Sequence, residues 1–234
     1  MKIYLIMKLF SLFKSNKEPK LAPLKELTFD ELEKIKFQAR IAFVDDEEIP
    51  HVNRLREDGY NITQYEDIEN IDDFLRKKYH LIILDIQGVG QKISPKSEGW
   101  GILKYLKKSA PNLIVIMFTG AEWSITKYKD EASVADDFIG KDLEFLDFKS
   151  KLDNGIKKAF SPAYHFEIEK NRILKEISNT QTVEQIKSIV EKYGSNKTTA
   201  LTEIKKITQN KNIIESMDGF FSIISSIKSL VSPI

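Results

Sequence analysis

The chain has 234 residues, of which 41% are hydrophobic and 30% are charged, and this length is enough for one substantial core and a smaller second unit. It contains no cysteine, which excludes disulfides, thiolate catalysis and cysteine zinc sites. Its 36 Lys and Arg residues nearly balance 35 Asp and Glu residues, so the charge indicates no obligatory polyanionic partner.

The N-terminal part, residues 1–37, is read as an apolar segment, a linker and a short helix. Residues 1–14 are apolar with three lysines, and they are too short and too interrupted to span a bilayer. They could contact a membrane surface, although packing on the body of the protein is the favoured interpretation. No secretory cleavage site follows, so we expect a cytoplasmic protein. Thr28 and Glu31 form a capping-box pattern that predicts a helix start.

Residues 38–160 alternate strand-like apolar runs with helical patterns. Strands are predicted near 40–45, 62–66, 81–85, 113–118 and 135–139. Helices are predicted near 48–57, 70–77, 98–108, 121–130 and 142–160. Five such units imply an α/β fold, a flavodoxin-like doubly wound parallel sheet of strand order 2-1-3-4-5. Ligands of such sheets bind where the strand order reverses, between the first and third strands.

Acidic side chains close two of the predicted strands. Asp45 and Asp46 follow the run IAFV, and Asp85 ends the run LIILD. In the predicted order these strands are neighbours, so three carboxylates would share one crevice, where each resists ionising beside the others. Proteins usually offset such repulsion between carboxylates by binding a hard divalent cation, which prefers oxygen ligands. The pattern therefore predicts a Mg²⁺ site and phosphoryl chemistry.

Two more polar residues close the later strands. Thr119 ends the run LIVIMFT, and Lys141 follows DDFIG. A hydroxyl and an ammonium at this sheet edge can bind the oxygens of a phosphoryl group on Asp85. In its order and spacing this set of residues resembles the receiver domain of bacterial two-component response regulators, over about residues 38–160.

The resemblance implies a role for each residue. Asp85 would be the phospho-acceptor, Thr119 the switch hydroxyl, Lys141 the phosphate-contacting lysine and Phe138 the aromatic that changes rotamer on activation. The resemblance implies Mg²⁺ as cofactor, with ligands from Asp45, Asp46, Asp85 and the backbone carbonyl of Gln87. It also implies a histidine kinase or phosphotransfer protein as partner, and no enzymatic activity beyond slow self-dephosphorylation.

Two departures from the family pattern lie beside the expected site. The family has a proline four residues after the acceptor, whereas Pro95 comes ten residues after Asp85, so about six extra residues stand between them. Asp142 follows Lys141, where the family often has proline. A non-phosphorylated, receiver-like scaffold is therefore an alternative, although retention of all five polar positions argues against it. A Mg²⁺-dependent phosphatase would need a second acid at Gln87.

Residues 161–234 change character, because apolar residues there repeat at intervals of three to four, which predicts an all-helical region. Within it, residues 183–207 loosely resemble a helix-turn-helix of the Fis type, with Gly194 in the turn. The second helix would offer to DNA the polar residues Lys197, Thr198, Thr199, Thr202, Lys205 and Lys206.

The charge of this region argues against DNA as the first choice. Ten Lys and Arg residues minus eight Asp and Glu residues give +2 over 161–234, which is low for a DNA reader. We therefore expect the helical region to act through protein partners or self-association, for which the apolar stripe from Phe220 to Val231 is available. DNA binding stays the alternative.

Overall fold

The structure, a computed structural model, describes residues 24, 27–120, 128–194 and 196–231. The predicted membrane contact of residues 1–14 lies outside this part of the chain. The strands are β1 Ile41–Val44, β2 Ile62–Tyr65, β3 Leu81–Asp85, β4 Ile114–Thr119 and β5 Asp137–Gly140. Up to residue 160 the described helices are α1 Phe29–Lys36, α2 Pro50–Glu57, α3 Ile71–Arg76, α4 Glu98–Ser109, α5 Lys129–Ala132 and α6 Phe145–Ala159.

The rest of the described chain is helical, as predicted. Its helices are α7 Pro162–Ile177, α8 Thr180–Tyr193, α9 Lys197–Ile207 and α10 Lys211–Val231. None of the helices in the described ranges has both the length and the apolarity needed to cross a bilayer.

The five strands form one parallel sheet of order β2-β1-β3-β4-β5. This order confirms the flavodoxin-like prediction. The register pairs Val44 with Leu84 and Asp85 with Phe118, so the residues that follow β1 come out beside the end of β3. All five residues of β3 are buried, as expected for a central strand covered on both faces.

Local signals explain where several helices begin. Thr28 and Glu31 form the predicted capping box, in which each side chain meets the other residue's backbone N–H, and this satisfies two N–H groups at the start of α1. Pro50 occupies the first turn of α2, where its missing N–H costs little. The helix predicted over 142–160 begins at Phe145. Of the helix predicted over 121–130, the first seven residues lie outside the described part.

The sheet separates two apolar clusters. One face packs against α3, α4 and α5 and includes Val44, Leu84 and Trp100. The other face packs against α1, α2 and α6, and its cluster continues into the C-terminal helices as far as Phe220 and Ile227. The predicted division at residue 160 is thus crossed by one continuous core.

Polar contacts also join α7 to the body of the sheet. Glu169, which is 1% exposed, accepts hydrogen bonds from Asn112 Nδ2 at 2.9 Å and Arg172 Nη1 at 3.0 Å, and also from the Ser216 hydroxyl. A buried carboxylate is costly unless it is paired in this way. The network therefore ties the segment before β4 to α7 and α10.

Candidate acidic site at the carboxyl edge of the sheet

The ends of β1 and β3 bring three carboxylates together. Asp45, Asp46 and Asp85 each offer an oxygen within 4.8 Å of the others. Asp45 and Asp85 are 1% and 2% exposed, whereas Asp46 is exposed. The arrangement follows from the register, because parallel strands end at the same edge of the sheet.

Lys141 supplies a positive charge to this cluster. Its Nζ donates to Asp85 Oδ2 at 2.9 Å and lies 3.1 Å from Asp45 Oδ2. Glu47 Oε2, which is on an exposed side chain, lies 3.6 Å from the same nitrogen. The backbone N–H of Lys141 donates to the carbonyl of Thr119 at 3.0 Å, which fixes the segment after β5 against the end of β4.

Backbone N–H groups orient the two buried carboxylates. Ile86 N donates to Asp85 Oδ1 at 2.7 Å, and Glu47 N donates to Asp45 Oδ1 at 2.8 Å. Each carboxylate therefore has one oxygen held by its own strand end and presents the other, Oδ2, to the ammonium of Lys141.

Burial dominates the protonation of the cluster. It raises the pKa of Asp85 to about 6, helped by the neighbouring Asp45 and opposed by the hydrogen bond from Lys141. Burial likewise raises the pKa of Asp45. Burial would lower the pKa of Lys141, but its hydrogen bonds to Asp85 and Asp45 outweigh this effect and raise it. The buried carboxylates thus need more positive charge than one ammonium provides.

Thr119 and Phe138, the two predicted switch residues, lie on neighbouring strands. Thr119 is the last residue of β4, is 8% exposed and ends its strand at the same edge as Asp85. Phe138 lies on β5, is partly buried and has its ring centroid 6.2 Å from that of Trp100. Packing of this kind fits a plain core role and a switching role equally.

The extra residues between the acceptor and Pro95 fold back on the protein. Gly88 N donates to Glu98 Oε2 at 3.2 Å, and Gly90 N donates to Asp67 Oδ1 at 2.5 Å. Between them, Val89 is fully buried. The insertion is therefore held in place by side chains from α4 and from the loop after β2, and Gln87, the predicted carbonyl ligand, stands at its start.

Gly88 lies directly against the acidic site. Its φ is +81°, and a Cβ added there would lie 2.2 to 2.4 Å from the carboxylate atoms of Asp46. Both the backbone conformation and the close approach require glycine. Sequence reasoning missed this residue, and the glycines of QGVGQ in an otherwise unexplained insertion are the signal that could have revealed it.

The donors present fit a hard divalent cation. Carboxylate oxygens are the ligands that Mg²⁺ prefers, and Asp45, Asp46 and Asp85 supply them within one small volume. Asp46, the exposed member, is held next to the backbone of Gly88, which leaves no room for a side chain there. The three predicted carboxylate ligands are therefore brought together, while the part of the Gln87 carbonyl and the binding of the ion stay predictions.

The predicted DNA-reading helix is partly engaged in the structure. Lys197 Nζ lies 2.9 Å from Asp218 Oδ1 and donates to Ser222 Oγ at 3.0 Å, both on α10. Lys206 Nζ lies 2.6 Å from Glu203 Oε1 on its own helix. Two of the three lysines that were candidates for phosphate contacts thus have carboxylate partners.

Comparisons with known proteins find similarity to solved structures alone. No family model and no curated protein matches the chain. Among solved structures, the receiver domain of NtrX from Brucella abortus is 22% identical to this chain. The alignment covers 50% of this chain and 98% of that one, with a TM-score of 0.41. TrrA from Thermotoga maritima, in complex with Mg(2+)-BeF, is 26% identical over 50% of this chain and 97% of that chain, with a TM-score of 0.39.

A longer alignment is found with NtrX from Brucella abortus in complex with ADP. It is 19% identical over 74% of this chain and 41% of that one, with a TM-score of 0.42. These TM-scores lie below 0.5, so the similarities carry no conclusion about function. The strand order of the sheet places residues 38–160 in the fold predicted from the resemblance.

Proposed function

Given this receiver-type sheet with a buried aspartate ending its central strand, we propose that the chain is a response regulator that accepts a phosphoryl group on Asp85. The observation that carries the proposal is the contact of Lys141 Nζ with both Asp85 and Asp45. Two buried carboxylates share this one ammonium at the topological switch point, so a divalent cation is needed there before an anionic phosphoryl group can approach Asp85.

Transfer needs one carboxylate oxygen of Asp85 as nucleophile. That oxygen forms a bond to phosphorus while the bond from phosphorus to the donor's leaving group breaks, and the product is an acyl phosphate. The hydrogen bond from Ile86 N to Oδ1 keeps the carboxylate oriented. The Lys141 ammonium, now on Oδ2, would then bind a phosphoryl oxygen, and the hydroxyl of Thr119 would bind another.

Mg²⁺, held by Asp45, Asp46, Asp85 and the carbonyl of Gln87, would neutralise the negative charge of the phosphoryl group. The chain's own contribution is mostly positioning. Asp45 and Asp85 are already oriented by backbone N–H groups, so little reorganisation is needed before transfer.

The readout is proposed to run through the C-terminal helices by protein contacts. A phosphoryl group adds charge and acceptor oxygens, so Thr119 and Lys141 would move towards it. This movement would shift the equilibrium between two conformations of the protein surface. The continuous core from β1 to α10 supports mechanical connection between the sheet and these helices. The same core buries Phe220, Ile224 and Ile227, so the apolar stripe that the sequence offered to partners is largely covered by the chain itself. The engagement of Lys197 by Asp218 favours protein contacts over DNA.

Intact mass spectrometry of the full chain tests the proposal. With Mg²⁺ and acetyl phosphate, the wild type should gain the mass of one phosphoryl group, and Asp85→Asn should not. Asp147→Asn, an exposed aspartate on α6, is the matched control and should gain it like the wild type. A folded wild type that never gains this mass would favour the non-phosphorylated scaffold instead.

A further inference from the structure

The first turn of α4 packs against the loop that follows Asp85. Gly99 N donates to the carbonyl oxygen of Ile86 at 3.1 Å, and a Cβ added at Gly99 would collide with the carbonyl oxygen of Asp85. A larger residue therefore does not fit at the second position of α4. The backbone that carries the proposed phospho-acceptor is thus in direct contact with the backbone of this helix.

Glu98, the first residue of α4, reaches the next part of the same loop. Its Oε2 accepts a hydrogen bond from Gly88 N at 3.2 Å, across the whole insertion. Its φ of +47° lies in the left-handed region, which is uncommon for a residue with a side chain and persists only where the surrounding structure holds it. Glu98 N donates to the carbonyl of Ser94 at 2.6 Å, so the residues just before α4 support this conformation.

The hydrogen bond from Gly88 to Glu98 sets the direction of one carbonyl. The N–H of Gly88 and the C=O of Gln87 belong to the same peptide group, which is trans, so they point in opposite directions. The Gln87 oxygen therefore faces away from the Glu98 carboxylate. Among the described residues, no backbone N–H donates to this oxygen. Because Gly88 lies against the carboxylate of Asp46, a carbonyl of fixed orientation stands beside the acidic site.

We infer that Glu98 is a positioning residue for the cation site, and that it holds the Gln87 carbonyl in the orientation that binds Mg²⁺. The inference rests on the proposed function and adds a residue to it. Glu98 lies outside the cluster of Asp45, Asp46 and Asp85, so it acts through the peptide group. A carboxylate that accepts from the N–H of a peptide also polarises the carbonyl of that group, and a hard cation prefers oxygen ligands.

Calorimetric titration of the full chain with Mg²⁺ separates orientation from charge. Glu98→Met removes the acceptor, and the affinity should fall about tenfold, the usual effect of losing a group that orients a metal ligand. Glu98→Gln keeps an oxygen that can accept from Gly88 N, and its affinity should stay within about threefold of the wild type.

Glu69→Met is the matched control for charge. It removes a carboxylate that contacts Lys92 of the insertion at 3.0 Å, and the Mg²⁺ affinity should not change. If Glu98→Gln loses as much affinity as Glu98→Met, or if the control loses as much, negative charge alone is responsible and the inference is overturned.

NMR observes the peptide group itself. The dipeptide Gln-Gly occurs once in the sequence, at Gln87 and Gly88, so isotope labels on glutamine carbonyls and glycine nitrogens give one carbonyl–amide cross-peak. Saturating Mg²⁺ should shift the carbonyl frequency of this peak in the wild type and in Glu98→Gln, and much less in Glu98→Met. A merely structural role of Glu98 would leave the shift at saturation the same in a folded Glu98→Met variant.

The wild-type cross-peak decides the role of the carbonyl even if Glu98→Met does not fold. A peak that stays unmoved while calorimetry shows Mg²⁺ binding would overturn this inference alone, and a chain that binds no Mg²⁺ would overturn it as well. Failure of the proposed function is seen separately, as the absence of a mass gain at Asp85.

Discussion

Lys141 Nζ donates to Asp85 Oδ2 at 2.9 Å across 56 positions of sequence, and the same nitrogen is 3.1 Å from Asp45. One ammonium therefore balances two buried carboxylates. A metal ion or a phosphoryl group at this site would change the charge that Lys141 meets. The contact that stabilises the resting chain is thus also the contact that chemistry at Asp85 would alter.

Replacing Lys141 should show how far the two buried carboxylates depend on its positive charge. Lys141→Met leaves Asp45 and Asp85 without their cation, and we expect the free energy of unfolding to fall by about 1–3 kcal/mol, the usual cost of an uncompensated polar group. Mg²⁺ should restore part of the loss, because it binds only the folded site. Urea unfolding with and without Mg²⁺ measures both effects.

Lys108→Met, at an exposed position near the end of α4, is the control and should change stability by less than about 0.5 kcal/mol. If Mg²⁺ stabilises neither Lys141→Met nor the control, the carboxylates are not the metal site.

Gly88→Ala should damage the acidic site. The new Cβ would collide with the Asp46 carboxylate, and the φ of +81° costs an L residue roughly 1–2 kcal/mol. We expect lower stability and Mg²⁺ affinity reduced about tenfold or more, measured by calorimetric titration. Gly219→Ala is the opposite case, because Gly219 lies inside α10 and a Cβ added there would meet no neighbouring atom within 4 Å. This substitution should stabilise the chain by about 0.5–1 kcal/mol. Unchanged Mg²⁺ affinity in Gly88→Ala would remove Asp46 from the ligand set.

The buried histidines should make the chain less stable in mild acid. Burial lowers the pKa of His165 and of His80 below the ordinary value of 6.5. The unfolded chain therefore binds these protons first, and the free energy of unfolding falls as the pH drops below about 6.5. Asp85, whose pKa is raised, acts in the opposite direction, since the folded chain holds that proton more tightly.

The His165→Leu variant separates these contributions. Urea unfolding at pH 7.5 and at pH 5.5 should show that the free energy of unfolding falls less on acidification in the variant than in the wild type. The part of the fall that comes from His80 should remain. The same acid loss in both proteins would mean that His165 is protonated as readily in the folded chain as in the unfolded one.

Duplex DNA should bind the chain poorly at physiological salt. Binding to phosphates releases counterions, so a true DNA reader loses affinity steeply as salt rises. Lys197 and Lys206 already meet Asp218 and Glu203, and few phosphates could be neutralised. Electrophoretic mobility shift across a salt series measures this. Tight, salt-sensitive and sequence-selective binding would promote the helix-turn-helix interpretation of residues 183–207.

The sheet and the acidic cluster could be predicted because each depends on short-range signals. Buried parallel strands are continuous apolar runs, and their ends carry the site residues, so Asp45 and Asp85 could be found from the pattern alone. The partners of the insertion could not be found this way. Asp67 and Glu98 reach Gly90 and Gly88 through hydrogen bonds that no periodicity encodes.

The boundary at residue 160 illustrates a second limit of prediction from the sequence. The change from alternating strands to pure helices is visible in the sequence, and Ser161 does cap α7. Packing between α7, α10 and the sheet depends on contacts between residues far apart in the chain, such as Phe166 with Phe220, whose ring centroids are 5.8 Å apart. Sequence periodicity shows that each helix has an apolar face and does not show which neighbour covers it.

The core that runs from β1 through Phe160 to α10 has a consequence for engineering the chain. A fusion of residues 38–160 to a foreign effector domain would remove the C-terminal helices from the apolar cluster that contains Ala159 and Phe160. It would also remove Glu169, the hydrogen-bond partner of Asn112. The receiver-type sheet is therefore not an interchangeable cassette. Any graft has to carry α7 and α10 with it, or replace their buried side chains by new ones of equal volume.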